Sequence, residues 1–203
     1  MAYFPFYIDI KDKKILVVGG GKVALRKVEK LLQFEPKITV VAPFICDEIR
    51  KLGVSIIERK FIDNDLDNIF CAISATDDEV VNGHIFKLCS EKNILVNTVD
   101  DKDKCGFIFP ALVNKNGITA GITSSGKSPI YAKYIRERLE NLLDGNADIT
   151  ETLFKYRKRI KSEIKNEADR KIVFERLLAL CLSRDEIDDN LVSKLIEEAN
   201  NEN

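Results

Sequence analysis

The triplet Gly19-Gly20-Gly21 constrains this chain more than any other feature, because it directly follows the apolar run Ile15-Leu-Val-Val18 and precedes the one-sided stretch Ala24–Leu32. A strand, a glycine turn and a helix start in that order form the context in which G-x-G-x-x-G/A acts as a dinucleotide fingerprint. In Gly19-Gly-Gly21-Lys-Val-Ala24, Gly19 makes the tight turn, Gly21 lets backbone approach a pyrophosphate, and Ala24 allows close helix–strand packing. The helix N-terminus adds amide donors and about half a positive charge for phosphates. A glycine turn that binds nothing is the plain alternative, and it rarely meets all three contexts together.

The rest of the first half keeps a βαβ rhythm. Ile15–Val18, Ile38–Val41, Ser55–Ile57, Ala72–Ala75 and Ile94–Val96 read as strands. Continuous rather than alternating apolar runs mean strands covered on both faces, as in a parallel sheet flanked by helices. The expected class is therefore α/β, a Rossmann-like doubly wound parallel sheet. Thr76-Asp-Asp-Glu79 has capping-box spacing and opens a helix through about Ser90, which puts Thr76 at the carboxyl edge of the sheet among the cofactor-binding candidates.

Asn97–Lys104 is polar and reads as a long loop. Phe107–Val113 and Ile118–Thr123 then read as strands around the turn Asn114-Lys-Asn-Gly117. Ser128-Pro129 supplies an N-cap and a first-turn proline for an apolar-striped helix. Beyond the linker Asp144–Asp148, three helices are expected around Leu153–Ile164, Ile172–Leu182 and Leu191–Ala199, the last preceded by a second capping box, Ser183 with Glu186.

With 32 Lys+Arg against 33 Asp+Glu the net charge is -1, so no global basic field gathers nucleic acid or an anionic membrane. An anionic ligand must meet local positive charge. Five cysteines without a C-x-x-C pair argue against a disulfide framework or a thiolate metal site and for a reducing, cytoplasmic setting. No resident metal is expected. The start of the chain lacks a basic n-region and Pro5 breaks its apolar stretch, so it does not read as a signal peptide, and no apolar run reaches the roughly 20 residues that span a bilayer.

One element of the fingerprint is missing. The second strand runs into Ala42-Pro43-Phe44, with Asp47 and Glu48 several residues beyond, so no acid stands ready for the ribose hydroxyls. Backbone and apolar contact must hold the adenosine end. The absence of an arginine at the same place favours NAD over NADP. Asp100 follows the run Ile94–Val99 and falls where open α/β folds bind ligands, though spacing cannot separate it from Asp101 and Asp103. Ser124-Ser-Gly-Lys-Ser128 reads as a second anion cradle or as an ordinary turn and N-cap. His84, the single histidine, shows no carboxylate or Cys partner at metal spacing and reads as a surface or packing residue.

Five segments occur in register with a known family: Gly19–Lys27, Ala75–Asp78, Asn97–Asp100, Cys105–Ala111 and Ser124–Pro129. Together they resemble the N-terminal modules of siroheme synthases, which include stand-alone precorrin-2 dehydrogenases, some of them also sirohydrochlorin ferrochelatases. The resemblance is strong over about 3–145. It implies an NAD-binding Rossmann domain over 1–112, a small α+β dimerisation segment over 113–146 and a helical C-terminal domain over 147–203, in a homodimer.

The implied reaction oxidises precorrin-2 to sirohydrochlorin with NAD as hydride acceptor, toward siroheme or cobalamin. Asp100 falls on the family's catalytic aspartate and Ser124 on a serine near the tetrapyrrole site, while Lys22, Val23, Pro43 and Phe44 fall on cofactor-contact positions. The substrate is rich in carboxylates, so Lys127 and Arg136, with Arg26 and Lys133, are candidate cations. Two alternatives stand beside this reading: a bifunctional enzyme that also inserts transiently held Fe2+ or Co2+, and an NAD-sensing regulatory module without catalysis.

Overall fold

A computed structural model describes residues 3–99, 101, 103–144, 149–183 and 186–201. The chain divides into two compact units, Ala2–Pro110 and Ala111–Asn203. In the first, strands β1 (Lys14–Val18), β2 (Lys37–Val41), β3 (Ser55–Ile57), β4 (Cys71–Ser74) and β5 (Leu95–Thr98) form one sheet in the order β3-β2-β1-β4-β5. Every pairing is parallel. This is the strand order of a dinucleotide-binding sheet, and it reverses direction between β1 and β4.

The apolar runs explain the layering. In β1, Ile15 and Val17 face one buried cluster while Leu16 and Val18 face the other. Helix α1 (Lys22–Leu32) closes the first cluster with Ala24, Val28 and Leu31, and α3 (Glu79–Glu91) closes the second with Ile85 and Cys89. Each of the valine, leucine and isoleucine side chains among them contributes about 1.5–3 kcal/mol when fully buried. The short helix α2 (Asp47–Arg50) and a 3-10 turn over Asp63–Leu66 were not expected, since neither is long enough to show a period.

In the second unit, β6 (Ala111–Lys115) and β7 (Ile118–Ile122) form an antiparallel hairpin. Its turn is Asn116-Gly117, with φ of 51° and 74°, the two positive values that a type I′ turn demands. Helix α4 (Pro129–Asp144) packs on the hairpin and buries Ala132, and Ser128 caps it by accepting a 3.3 Å bond from the Tyr131 amide. Helices α5 (Ile149–Glu163), α6 (Glu167–Leu182) and α7 (Asp189–Asn201) enclose Tyr156, Ile160, Val173, Leu177, Val192 and Ile196. Among the described residues no helix is long and apolar enough to cross a membrane.

Four local expectations are corrected. Asp78, not Thr76, caps α3: its side chain accepts from the Val80 and Val81 amides at 2.9 and 3.1 Å, and Asp is the stronger acceptor two residues closer to the apolar run. Ser183 ends α6 instead of opening α7, its hydroxyl returning to the Ala179 carbonyl, while Asp188 bonds the Leu191 amide. Phe107–Pro110 is not strand, for Pro110 lacks a ladder donor and the Phe107 and Phe109 rings pack on the α1-side core. Finally, β5 continues through Thr98, inside the stretch expected to be loop.

Candidate functional site

A crevice of about 1200 Å³ opens at the carboxyl ends of β1, β2, β4 and β5, all within the first unit. Gly19, Gly21, Lys22, Val23, Pro43, Phe44 and Thr76 line it together. Ala24 lies behind them, fully buried where α1 meets the sheet, as its packing role requires.

The three glycines divide the work. Gly19 has φ of +124°, and a β-carbon there would sit 2.2 Å from the Ala75 carbonyl oxygen. A β-carbon on Gly20 would come within 1.9 Å of the Phe44 carbonyl. The sequence assigns Gly20 no role of its own because the fingerprint leaves its middle position free. Gly21 differs: a β-carbon there meets no protein atom within 4 Å, so its smallness serves space outside the protein. Gly21 is the N-cap of α1, and no side chain among the described residues bonds into that cap. The first-turn amides and the dipole of α1 thus face the crevice unclaimed, the donor set a pyrophosphate needs.

Phe44, 74% exposed, lines the crevice beyond β2 in place of a carboxylate. Asp47 and Glu48 sit on α2 and do not line it. The loop after β3 supplies Lys60 and Phe61, and it is braced by Arg59, which grips Asp65 at 2.6 and 2.8 Å. That guanidinium holds the Asp65 carboxyl below the usual carboxylate range. His84 is an exposed residue, as expected, and it also has a partner: its Nε2 lies 2.8 Å from Asp63 Oδ1, and both line the crevice. Residues 21 apart in sequence give no spacing signal for such a pair.

At the β4–β5 side the hydroxyl of Thr76 turns inward and donates to Asn82 Oδ1 at 2.7 Å. Thr98 Oγ1 is buried at the crevice wall with no hydrogen-bond partner among the described residues, an open polar position of the kind a bound amide or hydroxyl satisfies. Asp100 lies outside the described residues. Its flanks are tied: the Cys105 thiol donates to the Thr98 and Asp101 carbonyls at 3.2 and 3.1 Å, and Asn97 Nδ2 reaches Cys105 Sγ at 3.4 Å. Lys104, 2.7 Å from Asp101, holds that neighbouring carboxyl below its ordinary range.

The remaining candidates belong to the second unit. Ser124 Oγ accepts from the Ser128 amide at 2.9 Å, and the Ser124 carbonyl accepts from Lys127 N at 3.0 Å, so the turn spends these amides on itself. Arg136 is held by Glu140 and Glu137 at 2.5 and 3.2 Å. Lys133 stands 3.7 Å from Glu137. No group of three or more metal-ligating side chains occurs among the described residues.

Sheet order, glycine turn and an uncapped helix over the switch point define a dinucleotide-binding Rossmann protein. A family model described as putative NAD(P)-binding matches residues 6–111. The siroheme synthase of Pseudoalteromonas translucida (strain TAC 125) is 41% identical over 180 residues, 86% of this chain and 38% of that protein. The siroheme synthase of Blochmanniella pennsylvanica (strain BPEN) is 39% identical over 182 residues, 87% of this chain and 38% of that one. Among solved structures, SirC, precorrin-2 dehydrogenase, matches with a TM-score of 0.71 and 25% identity, covering 98% of this chain and 100% of that one. The chain belongs to this NAD(P)-binding family, and over most of its length it is similar to part of the siroheme synthases. It spans 38% of the length of the siroheme synthases named above.

Proposed function

We propose that this protein is an NAD-dependent precorrin-2 dehydrogenase, which converts precorrin-2 to sirohydrochlorin. The observation that carries the reading is the crevice itself, where Gly21 leaves room and the α1 amides stand unclaimed at the reversal of strand order. NAD bound there supplies the hydride acceptor. The chain's own groups do the rest: the α1 N-terminus takes the pyrophosphate, Lys22 adds local charge, Pro43 and Phe44 flank the adenosine in place of an acid, and Thr98 offers a buried hydroxyl.

Asp100 is the proposed catalytic carboxylate. As hydride leaves precorrin-2, a proton must leave too, and the Asp100 carboxylate accepts it. Ser124, Lys127 and Arg136 are proposed to meet the substrate's carboxylates, Arg136 by exchanging its glutamate partners for them. The SirC match over 98% of the chain supports the substrate class. NAD is preferred to NADP because no arginine stands immediately after β2.

We further propose a homodimer built on segment 113–146, which presents Ile130 and Tyr131 at 80% and 60% exposure. A cytoplasmic setting agrees with five free cysteines. The test is direct: protein, NAD and precorrin-2 are mixed and NADH absorbance is followed. NADH should form with the wild type and fail to form with Asp100→Ala, which still binds NAD. A wild-type protein that binds NAD but makes no NADH from precorrin-2 overturns the enzymatic reading in favour of a sensing module.

A further inference from the structure

Asn82 is a buried amide that the reaction does not touch. It sits in the first turn of α3, 7% exposed, at the crevice wall. A side chain of this kind is among the groups whose burial must be compensated by hydrogen bonds, and its bonds converge on one place. Oδ1 accepts from Ser74 Oγ at 2.6 Å and from Thr76 Oγ1 at 2.7 Å. Nδ2 donates to the Thr76 carbonyl at 3.0 Å. One amide therefore holds both the side chain and the backbone of Thr76.

The next link reaches the glycine turn. The peptide joining Ala75 to Thr76 is the surface on which Gly19 rests, with the Ala75 carbonyl oxygen 2.2 Å and the Thr76 nitrogen 3.3 Å from where a Gly19 β-carbon would be. Packing this close leaves Gly19 no freedom to follow a displaced neighbour without moving Gly21 and the α1 N-terminus. A shift of the Ala75-Thr76 peptide is thereby a shift of the phosphate-binding amides.

We propose that Asn82 is a positioning residue for the dinucleotide: it fixes the loop after β4 and, through the contact of Ala75 with Gly19, the register of the amides that receive the pyrophosphate. This inference rests on the reading of the crevice as an NAD site and adds a specific determinant to it. Ser74 provides the comparison. Its hydroxyl donates to the same Oδ1, and the residue is fully buried and has no hydrogen bond to Thr76 among the described residues.

The experiment measures NAD binding by calorimetry, and thermal midpoints, for wild type, Asn82→Ala, Asn82→Ser and Ser74→Ala. Serine at 82 keeps a small polar group but cannot reach the Thr76 carbonyl, so it serves if alanine prevents folding. Both Asn82 variants should bind NAD ~10-fold or more weakly. Ser74→Ala should bind like wild type although its midpoint falls. In turnover, the Asn82 variants should raise KM for NAD and leave kcat at saturating NAD unchanged. An Asn82 variant that folds and binds NAD as wild type does overturns the inference, as does an equal loss of affinity in Ser74→Ala. A wild-type protein that fails to bind NAD sinks the reading of the crevice instead.

Discussion

The carbonyl oxygen of Ala75 occupies the position toward which a side chain on Gly19 would grow, 2.2 Å from its β-carbon. Around a β-carbon on Gly21, two residues on, there is no protein atom within 4 Å. The two glycines therefore answer to different forces, one to the protein and one to what the protein binds.

Gly19→Ala is expected to destabilise the first unit by about 2–4 kcal/mol, from the clash with backbone and the φ of +124°. Gly21→Ala, whose φ of -93° suits any residue, is expected to unfold in urea like wild type yet bind NAD at least about tenfold more weakly, roughly 1.4 kcal/mol. Urea titrations and calorimetry on the two variants check the contrast. Equal stability losses would contradict it.

Asp65 gives the fold a pH dependence of known sign. Its carboxyl is held low by Arg59 and its side chain is 7% exposed. The folded value lies below the unfolded one of about 3.9. The pair's contribution is thus fully present above about pH 4 to 5 and is lost as pH falls through the lower folded value. Asp65→Asn should cost about 1–3 kcal/mol at pH 7, with the difference from wild type shrinking toward pH 3. Unfolding curves at both pH values decide it.

Thr98 carries a stability cost that a bound ligand would remove. Its Oγ1 is buried with no partner among the described residues, so Thr98→Val should raise stability by about 1 kcal/mol, or roughly 2–4 °C in midpoint, in the free protein. A lower midpoint for the variant would mean the hydroxyl is already satisfied.

Thiol reactivity should map the core. Burial pushes the Cys71 thiol up to about 12 and the Cys89 thiol up to about 11. Neither should react with a thiol reagent at pH 8 in the native state, and both should react once urea unfolds the chain. Mass mapping of modified cysteines reads this directly.

The sheet was legible because its strands are buried on both faces, and such strands announce themselves as unbroken apolar runs such as Ile15–Val18. The glycine fingerprint was legible because its chemistry is local. What escaped was either short, like α2, or long-range. Thr76 and Asp78 both fit an N-cap in sequence, and only the loop's path chooses Asp78. The Asp63–His84 pair and the Asn82 bonds to Ser74 and Thr76 join separate elements, so no spacing rule exposes them. Phe107–Pro110 misled because apolar residues packing down onto a core imitate a strand.

Strand β1 has a neighbour on each edge, and the crevice draws its walls from both sides of it. No contiguous piece of the first unit ending before β4 owns a complete nucleotide pocket. Affinity for the dinucleotide is consequently an all-or-none gauge of whether this sheet has closed, and its occupation shields every strand at once from thermal opening.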